Sequence, residues 1–107
     1  MERIFLLEDD EALSRGVAMA LEGPERKVVR ALSLKEAEKI LAAESFNLLI
    51  LDVNLPDGSG LDLCEEIRAR GQNSYIMFLT ANDKESDILG GYEAGGADYI
   101  TKPFSIA

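Results

Sequence analysis

The 107-residue chain is sized for a single domain, since compact domains hold about 100–200 residues. Eleven Lys+Arg stand against twenty Asp+Glu, and the net charge of −9 argues against nucleic acid or an anionic membrane as a direct partner. With one cysteine, Cys64, and no histidine, the composition excludes an intrachain disulfide, a His-dependent triad, a His-ligated zinc site and a CxxC redox pair. At 47% hydrophobic and 29% charged, the chain is too apolar to stay disordered. No apolar run approaches the roughly 18–20 residues that span a bilayer. The N-terminus MERIFLLEDDE turns acidic too early for a signal peptide, so a soluble cytoplasmic domain with no membrane partner is expected.

In chain order, short apolar runs alternate with amphipathic stretches. Residues 4–7 (IFLL) read as a first strand, followed by a helical window at 10–22 with Leu13, Val17 and Leu21 on one stripe. The turn Gly23-Pro24-Glu25 leads to a second strand at 28–31. Ser33-Leu34-Lys35-Glu36 opens a helix over 34–44 as a capping box, with Leu34, Ala37, Ile40 and Leu41 facing inward. A third strand covers 48–51 (LLIL), and a third helix over 60–70 carries Leu61, Cys64 and Ile67 at helical spacing, with Gly71 as its C-terminal cap. A fourth strand at 76–79 (IMFL), a helical window at 84–94 and a fifth strand at 98–101 complete the pattern. The first, third and fourth strands are apolar throughout, as parallel strands covered on both faces are. No repeat, low-complexity segment or linker divides the chain. The alternation predicts one α/β domain with a parallel sheet, and chemistry at the carboxyl ends of its strands.

Those ends carry an informative set. The first strand runs into Glu8-Asp9-Asp10, the third into Asp52 and then VNLPDG, the fourth into Thr80-Ala81, and the fifth into Thr101-Lys102-Pro103. In a sheet of order 2-1-3-4-5, strands one and three are neighbours, so Glu8, Asp9 and Asp52 converge. Two carboxylates about 5 Å apart repel by roughly 3 kcal/mol at an effective dielectric near 20. A hard divalent cation such as Mg2+, which prefers oxygen ligands, offsets that cost. With the Thr80 hydroxyl and the Lys102 ammonium at the same rim, the set suits a phosphoryl group, one carboxylate acting as nucleophile. Taken singly, each residue has a plainer explanation. Asp52 or Asp10 serves as a helix cap, Thr80 as a turn residue, Lys102 as a surface cation and Cys64 as a small buried apolar residue. Four separate strand ends each delivering a needed group favour the joint reading.

These residues resemble the receiver domain of bacterial two-component response regulators, in particular receivers joined to winged-helix DNA-binding domains. The resemblance runs from Ile4 to Phe104, through the acidic pair Glu8-Asp9, LDVNLPDGSG around Asp52, LTA at 79–81 and DYITKPF at 98–104. It implies a flavodoxin-like, doubly wound five-stranded sheet of order 2-1-3-4-5. It also implies a signalling switch rather than a turnover enzyme, with a sensor histidine kinase as phosphodonor. On this resemblance Asp52 is the phosphoacceptor, and Glu8, Asp9, Asp52 and the backbone carbonyl of Asn54 hold Mg2+. Thr80 closes on the phosphoryl oxygen, Lys102 neutralises it, and the bond before Pro103 is often cis. Tyr99 is the switch aromatic that turns when Thr80 moves, changing the surface around the fourth helix and fifth strand. Ala81 leaves the site open, while Asn54 and Asn82 sit where the family tunes phosphoryl lifetime. The family also allows a homodimer and an output through a DNA-binding domain beyond Ala107.

A haloacid-dehalogenase-like phosphatase, with Asp52 as its nucleophile, is the alternative; it expects an acid where Asn54 stands. A flavin-binding module fits less well, because Glu8-Asp9-Asp10-Glu11 would repel a phosphate, and an interaction domain that no longer phosphorylates would not need an intact acceptor set. Gly90 and Gly91 each cost a helix interior about 0.8–1 kcal/mol against alanine, so the fourth helix is expected to be weak and mobile. The family closes its sheet with a fifth helix after KPF. Only Ser105, Ile106 and Ala107 follow Phe104 here, so that helix is expected to be missing and an apolar, self-associating face left beside the first helix.

Overall fold

The computed structural model describes residues 1–80, Gly95 and residues 98–101. Its elements are β1 (Glu2–Leu7), α1 (Glu11–Leu21), β2 (Arg26–Ala31), α2 (Leu34–Ala43), β3 (Leu48–Asp52), β4 (Asn54–Leu55), β5 (Gly58–Ser59), α3 (Gly60–Ala69), β6 (Tyr75–Thr80) and β7 (Asp98–Thr101). Five strands form one parallel sheet in the order β2-β1-β3-β6-β7, which is the expected 2-1-3-4-5 arrangement. The remaining two, β4 and β5, form a small antiparallel hairpin that the sequence pattern did not indicate. The expected helix at 84–94, with Gly90 and Gly91, lies outside the described residues, as does the segment after Thr101.

The period-2 geometry of a strand explains how continuous apolar runs serve two cores. Phe5 and Leu7 of β1 join Leu49 and Leu51 of β3 and Ile76 and Phe78 of β6, packed with Ala37 and Leu41 of α2 and Leu63, Cys64 and Ile67 of α3. Their neighbours Ile4, Leu6, Ile50 and Leu79 form the second core, with Val17 and Ala18 of α1 and Val28 of β2. Helices α2 and α3 therefore cover one face and α1 the other. Each large side chain so buried contributes about 1.5–3 kcal/mol.

Caps fix where the helices begin. Asp10 accepts from the Leu13 amide at 3.1 Å, Ser33 from Glu36 at 3.2 Å and Ser59 from Leu61 at 3.1 Å. Each satisfies an amide that the first turn leaves without an intrahelical partner. Only half of the expected capping box at α2 forms among the described residues. Glu36 does not reach back to the Ser33 amide; separately, the carboxylate of Asp57 accepts from the next two amides, Leu34 (3.1 Å) and Lys35 (3.3 Å). Helix α3 ends as expected: Gly71 has φ +81°, and the Gly71 and Gln72 amides return to the carbonyls of Arg68 and Ile67. That double closure requires a left-handed residue, which glycine adopts without strain.

Candidate functional site

Strands β1 and β3 lie side by side with Leu7 opposite Leu51, so Glu8 and Asp52 emerge next to each other at the carboxyl edge. Carboxylate oxygens of Glu8, Asp9 and Asp52 lie within 4.8 Å of one another. Glu8 is 0% and Asp52 2% exposed, whereas Asp9 faces solvent. Backbone and side-chain bonds hold the trio. The Glu8 amide donates to the Ala31 carbonyl at 3.2 Å, and the Asp10 amide donates to Glu8 Oε2 at 2.9 Å. The Val53 amide donates to the Leu79 carbonyl at 2.9 Å, and the Asn54 amide to Asp52 Oδ1 at 3.1 Å. Beyond them, the Gly60 amide donates to the Val53 carbonyl at 3.1 Å, closing the loop over the end of β3. A Cβ at Gly60 would run into the Asp52 carbonyl, so α3 can start this close to the strand only from glycine.

At such separations each carboxylate pair repels by roughly 3 kcal/mol at an effective dielectric near 20. Two of the three groups are buried, which sharpens the repulsion. The donor set is all carboxylate oxygen, open to solvent through Asp9, and this matches what a small hard cation takes from a protein while keeping several waters. The acidic cluster can therefore hold a metal ion.

The other expected site residues stand as follows. Thr80 ends β6, one residue beyond Leu79, the register partner of Asp52, and Thr80 itself pairs with Thr101. Tyr99 lies in β7 opposite Phe78. Lys102, Pro103, Ala81 and Asn82 lie outside the described residues. Asp10 is a helix cap, as its plainer reading held. Cys64 is buried in the core, where burial pushes its thiol up from the usual 9.0, so it packs as an apolar group. Two polar links were not read from the sequence. One is the Asp57 bond pair to α2. The other joins Arg68 Nε to the Gly95 carbonyl at 3.0 Å, with Arg68 Nη1 on the Gln72 carbonyl at 3.0 Å.

A five-stranded 2-1-3-4-5 sheet with three acids clustered at its carboxyl edge defines a receiver domain of the two-component type. The family profile described as the response regulator receiver domain matches residues 4–107, and the chain belongs to that family. The chain is 38% identical over 104 residues to the response regulator protein PmrA of Pseudomonas aeruginosa, covering 97% of this chain and 47% of that protein. It is 35% identical over 106 residues to the KDP operon transcriptional regulatory protein KdpE of Escherichia coli, covering 99% of this chain and 47% of that one. The chain thus spans about half the length of these relatives. Among solved structures, the response regulator TrrA of Thermotoga maritima, in complex with Mg2+-BeF, superposes with a TM-score of 0.85 at 28% identity, covering 98% of this chain and 90% of that chain. The phosphatase alternative finds no support: residue 54 is Asn where it needs an acid, and the family match spans the chain. Among the described residues, no helix is long and apolar enough to cross a membrane.

Proposed function

We propose that Asp52 is the phosphoacceptor of this receiver and that Glu8, Asp9, Asp52 and the backbone carbonyl of Asn54 hold Mg2+. The observation that carries this is the convergence of Glu8, Asp9 and Asp52 within 4.8 Å at adjacent strand ends. Three carboxylates gathered this closely form an all-oxygen donor set of the kind a hard divalent cation takes. The Mg2+ complex of TrrA supports the choice of metal. When bound, Mg2+ offsets negative charge on phosphoryl oxygens.

The residues of the chain do the rest. The Asn54 amide orients the Asp52 carboxylate, and in-line attack on the donor's phosphorus requires an oxygen held in this way. That oxygen forms the new P–O bond as the P–N bond to the donor imidazole breaks, and the imidazole leaves with the bonding pair. Lys102, next after β7 in sequence, balances charge on the loose transition state. Thr80 then hydrogen-bonds the acyl phosphate, and Tyr99 changes rotamer in the space vacated. The result shifts the population of two surfaces around β7.

The phosphodonor is a sensor histidine kinase, and the chain acts as a cytoplasmic signalling switch rather than a turnover enzyme, with homodimerisation available to it. Output goes through DNA by a separate effector domain, in line with the transcriptional regulatory name of KdpE; the acidic receiver does not bind DNA itself. Incubation with acetyl phosphate and Mg2+ tests the assignment. One added phosphoryl group, labile in alkali and absent from Asp52→Ala, is expected; no adduct under any condition would overturn it.

A further inference from the structure

We infer that Asp57 is a positioning residue for the phosphoacceptor site, acting through the β4–β5 hairpin. This rests on the reading of Asp52 and Asn54 as acceptor and metal ligand. The hairpin is short, pairing Asn54 with Ser59 and Leu55 with Gly58, and two-residue strands have little stability of their own. Its base holds the site: Asn54 donates its amide to Asp52 Oδ1, and Ser59 caps α3 through the Leu61 amide. Its tip is anchored outside the hairpin. Asp57 Oδ1 accepts from Leu34 and Oδ2 from Lys35, the first two amides of α2.

Three observations make this anchor specific. Both carboxylate oxygens are engaged, one per amide, so the carboxylate is fixed in orientation as well as position. The negative charge sits at the positive end of the α2 dipole, which strengthens both bonds. Beside it, Gly58 has φ +150°, and a Cβ there would strike Leu34 Cδ1, so the hairpin packs directly against the first side chain of α2. The Leu34 side chain packs on the α2–α3 core, as does Leu55 of the hairpin. The hairpin therefore lies between the core and α2, and the Asp57 anchor restrains its movement relative to Asp52.

Loss of the anchor lets the hairpin turn away and carries the Asn54 amide and carbonyl from their positions, with Asp52 untouched in sequence. Ser33 separates this role from simple helix capping. It caps the same helix, through the Glu36 amide, but makes no bond to the hairpin.

The test titrates Mg2+ alone into the 107-residue chain and follows the amide resonances of Val53 and Asn54, alongside hydrogen exchange of the Asn54 amide. Asp57→Ala is expected to weaken Mg2+ binding about tenfold, the low end of what outer partners of metal ligands cost, and to speed Asn54 exchange. Ser33→Ala is expected to lower the melting temperature comparably while leaving the Mg2+ midpoint and Asn54 exchange unchanged. Asp57→Asn, which keeps one acceptor oxygen, should recover part of the affinity. Equal Mg2+ midpoints for wild type and Asp57→Ala, or an equal loss in Ser33→Ala, would overturn the inference. A wild-type chain that shows no Mg2+-dependent shift would overturn the metal reading itself, and the inference with it.

Discussion

The backbone amide of Asn54 donates to Oδ1 of Asp52 at 3.1 Å, so the residue two positions beyond the buried acid sets the direction of its carboxylate. Because an ionised oxygen accepts this bond, it is stronger than a neutral one. It is made by the main chain, and so is the carbonyl assigned to Mg2+. Asn54→Ala is therefore expected to leave the Mg2+ midpoint within about twofold, the scale of an ordinary surface substitution. Asn54→Pro removes the N–H and should weaken binding well beyond that. Parallel Mg2+ titrations of the two variants check the contrast.

The carboxylates of Glu8, Asp9 and Asp52, within 4.8 Å of one another, repel each other through their like charge. Asp52→Asn keeps an oxygen to accept the Asn54 amide but removes one charge from the trio. In Mg2+-free buffer this variant is expected to be more stable than wild type by about 1–3 kcal/mol, read from urea midpoints at constant slope. With saturating Mg2+ the order narrows or reverses, since a cation that binds only the folded state stabilises it by about 2.7 kcal/mol at one hundred times its Kd. A wild-type chain more stable than Asp52→Asn without Mg2+ would mean the repulsion is already compensated by protein groups.

Gly60 tests how tightly α3 is docked on the end of β3. The added methyl of Gly60→Ala meets the Asp52 carbonyl, a backbone atom that cannot rotate aside. Overpacking of this kind costs about 1–3 kcal/mol. The melting temperature should fall, and Mg2+ binding with it, because the displaced group is the acceptor's own peptide unit. Gly16→Ala is the control: a Cβ there meets nothing within 4 Å, so it should be neutral or stabilising.

Cys64 gives a prediction in pH. Desolvation is the largest influence on the thiol and raises it; Arg68 lowers it in part, and Glu65 raises it further. With the folded value above the unfolded 9.0, this contribution to stability is fully present below about pH 9 and is lost as pH rises through the folded value. Iodoacetamide labelling of the native chain at pH 8 should be far slower than in urea, and Cys64→Ala should lessen the loss of stability between pH 9 and 10.

The strands and the acids at their ends were legible in the sequence from short-range patterns, and the order that gathers the acids came from the family resemblance. Runs such as LLIL end in an acid, and strand order alone brings Glu8 beside Asp52. The β4–β5 hairpin was not legible, since two-residue strands carry no periodicity. Nor was the role of Asp57, which caps a helix beginning 23 residues earlier in the chain. In sequence Asp57 is one turn-forming residue among LPDGSG, and only the tertiary approach of the hairpin to α2 gives its carboxylate two donors. Ser33 and Glu36 read as a complete capping box from local spacing, but only the Ser33 half forms, and local spacing cannot reveal that the next two amides bond a distant acid.

The most direct test of the central claim is to trap the acyl phosphate where it forms. The chain is treated with acetyl phosphate and Mg2+, reduced with borohydride to convert any aspartyl phosphate to homoserine, and mapped by peptide mass spectrometry. Homoserine at position 52, dependent on both Mg2+ and phosphodonor, is the predicted result. Homoserine at position 9 or 10, or none at any acid while the chain remains folded, would contradict it.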